Sequence, residues 1–224
     1  YSPDYRKLMY LSYVDGNPRI YVYDIGTGQQ TLVTQSSNPT FAPRWSPDGR
    51  WVLYSMAVNG NTDIYRVSAE GGQSVRLTDA PGIDIGGSYS PDGSKIVFES
   101  DRSGEQQIYM MNADGSNQRR ISFFGGRAAT PEWSPRGDQI AFTNSSTFNI
   151  SVMTPSGGNV RVLTNGWQDE APTWAPNGRI IQFFRTERNS GKAALYQVDL
   201  TGENLRQLPT PVDASDPAWG PILP

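Results

Sequence analysis

The residues best suited to chemistry in this chain are carboxylates placed at one recurring position. Asp84, Asp169, Glu170, Asp213 and Asp216 each fall three to six residues before an aromatic residue that returns along the sequence, and Glu132 directly precedes another copy of it. Arg44 and Arg127 occupy comparable places with the opposite charge. Such carboxylates can cap turns and brace neighbouring strands through local hydrogen bonds. They can bind a partner rich in Lys and Arg, or a hard cation such as Ca²⁺ through oxygen ligands. A pair of them can also serve as acid and base in glycoside hydrolysis, which would make the chain a glycan-active propeller. That use also needs a sugar platform, and every aromatic residue that could supply one is accounted for by a repeated core position.

Composition removes other chemistries. With 0 His and 0 Cys there is no Ser-His-Asp triad, no thiolate nucleophile, no disulfide framework and no imidazole or thiolate ligand for zinc. A net charge of −3 without a basic run argues against nucleic acid as a partner. No apolar run is long enough to span a bilayer, so membrane insertion is not expected. The chain starts at Tyr1 rather than Met, which suggests a processed product or an excised piece of something longer.

The elements that position the carboxylates are written in a repeat. Trp45-Ser46-Pro47-Asp48-Gly49 returns as Tyr89-Ser90-Pro91-Asp92-Gly93, as Trp133-Ser134-Pro135-Arg136-Gly137 and as Trp174-Ala175-Pro176-Asn177-Gly178. It is framed by Tyr1-Ser2-Pro3-Asp4 and Trp219-Gly220-Pro221. Successive aromatic positions, 1, 45, 89, 133, 174 and 219, differ by 44, 44, 44, 41 and 45 residues. Each unit holds four short runs rich in β-branched and aromatic residues, separated by Gly-containing turns, as in Lys95–Ser100, Ile108–Met111 and Arg119–Ser122. Four-stranded units of this length define an all-β fold, a β-propeller of antiparallel blades with five sequence repeats. The repeats span about residues 1–44, 45–88, 89–132, 133–173 and 174–218 of one domain, 1–224. A closing strand at 213–221 is expected to complete the first sheet and so close the ring. The aromatic strand is expected to be innermost, and the strand carrying Arg76, Arg119, Arg120, Arg161 or Arg206 outermost, where charge protects a free edge. Tyr10, Tyr54, Phe98, Phe142 and Phe183, with Tyr21, Tyr65, Tyr109 and Tyr196, read as core packing between blades, and Ser151 stands where the fourth repeat should have its Tyr.

The Trp/Tyr-Ser-Pro-Asp-Gly phrase, the Ile-Val-Phe-like strand, the Ile-Tyr strand and the Arg-Leu-Thr ending resemble the propeller of the TolB family, part of the bacterial Tol-Pal envelope system. The most specific stretches are Tyr89 through Arg102, Met111 through Ser122, and Leu208-Pro209-Thr210-Pro211 through Trp219. They look like an alphaproteobacterial version. The resemblance implies a non-enzymatic periplasmic adaptor that binds the Pal lipoprotein at the channel mouth, a site that colicin-type peptides also exploit in the family. It implies that the N-terminal domain and the first blade are missing, so TolA is not expected to bind, and it suggests a monomer. Related repeats also occur in the lid propeller of prolyl-oligopeptidase-like enzymes, and a truncated or engineered propeller without a function of its own would account for the same sequence. The residues assigned to the mouth are Arg44, Asp84, Arg127, Glu132, Asp169, Glu170, Asp213 and Asp216. Replacing Asp169 and Glu170 by Lys is expected to weaken partner binding and leave folding nearly untouched.

Overall fold

A computed structural model describes residues 1–14 and 16–220. Asp15 in the first hairpin turn and Pro221 in the expected closing strand lie outside the described residues. The chain folds into five antiparallel sheets arranged as the blades of a β-propeller, with no helix among the described residues. The first blade holds β1 (Lys7–Ser12), β2 (Arg19–Asp24) and β3 (Gln30–Leu32). The second holds β4 (Thr40–Trp45), β5 (Trp51–Val58), β6 (Asn61–Ser68) and β7 (Val75–Arg76), and the third β8 (Asp84–Tyr89), β9 (Lys95–Ser100), β10 (Gln107–Asn112) and β11 (Arg119–Arg120). The fourth holds β12 (Ala128–Trp133), β13 (Ile140–Asn144), β14 (Asn149–Met153) and β15 (Arg161–Val162), and the fifth β16 (Gln168–Trp174), β17 (Ile180–Thr186), β18 (Ala193–Asp199) and β19 (Arg206–Gln207). Within each sheet the strands follow chain order, so in the four-stranded sheets the aromatic strand and the arginine strand form opposite edges.

The turn phrase works through its Ser and Asp side chains. In the second blade the Ser46 hydroxyl donates to Asp48 Oδ1 (2.5 Å) and accepts from the Trp51 amide (2.9 Å), while Asp48 Oδ1 also takes the Arg50 amide (3.1 Å). Ser2 with Asp4 and Ser90 with Asp92 repeat the arrangement. In the fourth blade Arg136 replaces the Asp, and Asp138 supplies the carboxylate to Ser134 instead (3.1 Å). Each of these turns satisfies its own polar groups and needs nothing from outside.

The core lies between blades, because alternate residues of a strand face opposite neighbours. Val52 and Tyr54 pack with Ile20, Val22 and Val33 of the first blade, whereas Leu53 packs with Tyr89, Ile96 and Phe98 of the third. In four sheets an aromatic pair joins adjacent strands, β1 and β2 in the first blade and the second and third strands elsewhere: Tyr10–Tyr21, Tyr54–Tyr65, Phe98–Tyr109 and Phe183–Tyr196, with centroids 5.8–5.9 Å apart. Each such pair contributes about 0.5–1.5 kcal/mol beyond its buried area. In the fourth blade, where Ser151 replaces the tyrosine, Phe124 of the preceding loop stacks on Phe142 at 5.2 Å. At the turn end, Gly71, Gly115, Gly157 and Gly202 adopt φ of +84°, +89°, +85° and +81° and lie against the outermost strand of the preceding blade, opposite the backbone of Leu32, Leu77, Ile121 and Leu163.

The expected closing strand is present in position but not in pairing. Trp219 Nε1 donates to the Thr173 carbonyl (3.5 Å), as Trp174 Nε1 does to that of Glu132 (3.0 Å), and Gly220 lies against the Tyr1 ring. The C-terminal segment thus comes round to the first blade. Among the described residues, however, 213–220 form no strand ladder, and the first sheet has three strands. The inner edge of β1 is thus left without a strand partner among the described residues.

Candidate binding face at the crossover end

Every innermost strand is kinked by a β-bulge shortly after it begins. The register shifts between Phe41 and Arg44, Ile85 and Ser88, Ala129 and Glu132, and Glu170 and Thr173. At the bulge Ala42, Gly86, Thr130 and Ala171 have φ of 50°, 67°, 49° and 52°, and Asp216 in the C-terminal segment has 49°. Left-handed backbone costs a non-glycine residue about 1–3 kcal/mol, so the bulge is held by its surroundings. It separates the residues before it, at the crossover loops, from those just before the aromatic, within the ring.

The mouth residues divide accordingly. Asp84 and Asp169, at matching positions in the third and fifth blades, are fully buried. Asp169 is gripped at both oxygens by Arg185 (Nε to Oδ1 2.6 Å, Nη2 to Oδ2 2.9 Å) and accepts the Gly166 amide (3.1 Å). Asp84 Oδ2 takes Arg102 Nη2 at 2.6 Å. Both arginines also lie over aromatic rings of their own blade, Arg185 above Tyr196 (4.7 Å) and Arg102 above Tyr109 (5.0 Å). These two aspartates brace the strand ends. The expectation that Asp169 could become Lys without harm to the fold is therefore corrected: a second cation would be buried against Arg185.

Glu132 lies partly buried within the ring, where its Oε1 accepts from Thr173 Oγ1 (3.0 Å) and the Trp174 amide (3.2 Å). Loss of water raises its pKa above the ordinary glutamate value, and the Arg44 cation offsets part of that rise. Arg44, exposed on β4, gives its own Nη1 to the Pro43 carbonyl (3.1 Å). Glu170 is half-buried and also shifted upward, by burial first and then by the Asp216 charge. Glu170 thus registers the charge of Asp216, and Glu132 that of Arg44. Arg127 is exposed and stands 3.9 Å from Glu105; Asp213 is exposed in the last crossover loop. Glu99 was missed because it lies on a second strand rather than in a loop. It is buried, accepts Thr130 N (3.1 Å) and Gln106 Nε2 (2.8 Å), and is shifted upward by burial. Among the described residues no three or more Asp or Glu side chains are grouped to hold a metal ion.

The crossover loops also present apolar side chains to solvent, which an inventory of charges overlooks. Ile83, Phe123, Trp167 and Val212, one from each of four successive loops, are 48%, 72%, 52% and 74% exposed. Arg188 lies over Trp167 at 4.4 Å and Arg120 over Phe123 at 5.2 Å. Their signal in the sequence is an apolar residue six to ten positions before the recurring aromatic, inside an otherwise polar loop. Aromatic and aliphatic side chains mixed with arginine are the usual makings of a protein-binding surface.

Comparison with known proteins agrees with this architecture. The curated Tol-Pal system protein TolB 1 of Novosphingobium aromaticivorans is 72% identical over 75 residues, covering 34% of this chain and 17% of that protein. The crystal structure of TolB from Acinetobacter baumannii superposes with a TM-score of 0.88 at 31% identity, over 99% of this chain and 56% of that one. This chain therefore spans about half the length of that TolB. An oligogalacturonate lyase from Vibrio parahaemolyticus shares the fold alone, at 15% identity and a TM-score of 0.67 over 92% of this chain and 63% of that one. The family model described as the TolB beta propeller domain matches residues 1–223, and the chain belongs to that family.

Proposed function

We propose that this propeller is a non-enzymatic protein-binding scaffold of a periplasmic Tol-Pal system, and that it docks a Pal-like lipoprotein across the crossover end of its blades. The observation that carries the reading is the ring of exposed Ile83, Phe123, Trp167 and Val212 set among Arg127, Glu170, Asp213 and Asp216. Family membership and the Tol-Pal naming of the curated relative support it. Asp84 and Asp169 hold the strand ends, Arg44 and Glu132 set the charge inside the ring, and the exposed loop residues make contact. A rigid frame with variable loops suits recognition, because little order has to be gained on binding. On this reading the propeller serves envelope integrity, transport and cell division through its partner.

The test is calorimetric titration with the soluble domain of a Pal lipoprotein at low and high salt. Saturable binding that weakens with salt is expected, with Trp167→Ala and Glu170→Lys each weakening it about tenfold. No binding by a folded chain would overturn the proposal.

A further inference from the structure

Because the blades repeat, each position has an expected occupant, and departures from it stand out. Three departures meet at the turn end between the second and third blades. Arg66 on β6 stands where the matching strands carry Val22, Met110, Val152 and Gln197. Trp51 stands where the others carry Lys7, Lys95, Gln139 and Ile180, and Tyr89 where most copies carry Trp. Val22, Met110 and Val152 fill the core against the next blade. Arg66 does not fill it, and a cleft of about 490 Å³ opens there, lined by Trp51, Arg66, Tyr89, Asp48 and Asp92.

The polar groups of this cleft are unevenly satisfied. Asp48 is occupied by Ser46 and Arg50, and Asp92 by Ser90 and Ser94. These hydrogen bonds hold both carboxylates at a pKa of about 2. Arg66 makes no ion pair in contact among the described residues, although its charge reaches Asp114: its Nη1 donates to the Ala113 carbonyl (3.2 Å), its plane lies 4.6 Å from the Trp51 ring centre, and its buried Nε has no acceptor. The Tyr89 hydroxyl, on a side chain only 9% exposed, is buried against the Arg66 guanidinium, and no acceptor stands within reach of its hydrogen. Burial pushes that phenol up to about 12, with the adjacent Arg66 cation opposing the rise. The Arg66 Nε–H and the Tyr89 hydroxyl hydrogen therefore lie side by side on one cleft wall without an acceptor, and an unmet buried donor costs about 1–3 kcal/mol.

We infer that this cleft between the second and third blades is a binding site for a carboxylate, with Arg66 Nε and the Tyr89 hydroxyl as its donors and Trp51 as its apolar wall. A carboxylate has two oxygens to accept both donors and supplies the charge that Arg66 lacks. The site lies at the opposite end of the blades from the proposed partner face and does not depend on it.

The carboxylate could belong to a peptide side chain or to a free acid, so two probes are titrated calorimetrically: acetyl-Ala-Glu-Ala-amide and succinate, with acetyl-Ala-Gln-Ala-amide as control. Saturable binding of either acid, at least about tenfold weaker for the glutamine peptide or for Arg66→Met, and several-fold weaker for Tyr89→Phe, supports the site; the better probe identifies the source. The third blade tolerates Met110 at the equivalent position, so Arg66→Met is expected to fold with an unchanged or higher Tm. Absence of binding by both acids, undiminished binding by Arg66→Met, or a marked fall in its Tm would overturn the inference, the last by making Arg66 a structural brace.

Discussion

At the turn end of the blades, Asp4, Asp48 and Asp92 each bond the serine two residues before them. At the crossover end, Asp84 bonds Arg102, 18 residues away in the turn after β9, and Asp169 bonds Arg185, 16 residues away on β17. The first set is exposed or nearly so and settles its hydrogen bonds within a few residues. The second is buried and depends on the assembled blade. Local satisfaction allows a phrase to be copied with little change, whereas a distant partner must change together with its mate. This difference accounts for a uniform turn end and a varied crossover end, and recognition is better served by the varied one.

The largest expected effect tests the buried pair. Arg185→Met leaves Asp169 charged, buried and alone, and should cost about 3–5 kcal/mol of stability in urea unfolding. A loss below about 1 kcal/mol would mean that water reaches Asp169, and the contrast between the two ends would fail. Next, Gly157→Ala examines whether the turn end is as tolerant as its exposure suggests. Its Cβ would strike the Ile121 carbonyl oxygen at φ +85°, so a cost of about 1–3 kcal/mol is expected, measured by Tm.

Acidity sharpens the comparison further, since the turn-end aspartates and the buried glutamates Glu99 and Glu132 shift in opposite directions. Asp48 and Asp92 fall from 3.8 to about 2 on folding, through their serine hydrogen bonds. Their contribution is therefore present above about pH 4 and is lost as pH falls toward about 2. Glu99 and Glu132 are raised by burial, so the folded state binds their protons more tightly than the unfolded one and stability declines as pH rises above 4.5 through their folded values. Replacing both by Gln should flatten the slope on the neutral side and leave the acid limb in place, as read from unfolding at a series of pH values. The smallest effect is expected for Arg50→Ala, which removes an exposed 2.6 Å ion pair with Asp48 and should change stability by no more than about 1 kcal/mol.

The blades were legible because the same hydrophobic alternation and turn residues recur, so each copy confirms the others. The outermost position of the arginine strands followed from that pattern, whereas the stacking of Tyr10 on Tyr21 and of Tyr54 on Tyr65 within one blade did not, because it depends on the register of paired strands. The state of Asp84 and Asp169 did not. Their partners Arg102 and Arg185 lie beyond the next turn, and no local spacing shows that a loop carboxylate folds inward to meet them. The ladder of the closing strand was also out of reach, because one pattern of residues encodes both an innermost strand and the unpaired segment at Asp216 and Trp219.

The glycines of the turn end bear on how such a chain can change in length. Gly115 meets the backbone of Leu77, Gly157 that of Ile121 and Gly202 that of Leu163, so each blade offers its successor the same socket and carries the same plug toward its predecessor. A duplicated repeat inserted after any of them would find both fittings ready, and a deleted repeat would leave a matching pair behind. Copy number can therefore drift by whole units during evolution without passing through a misfitted intermediate, and selection is left to act on the number of blades that the central opening and its partner require.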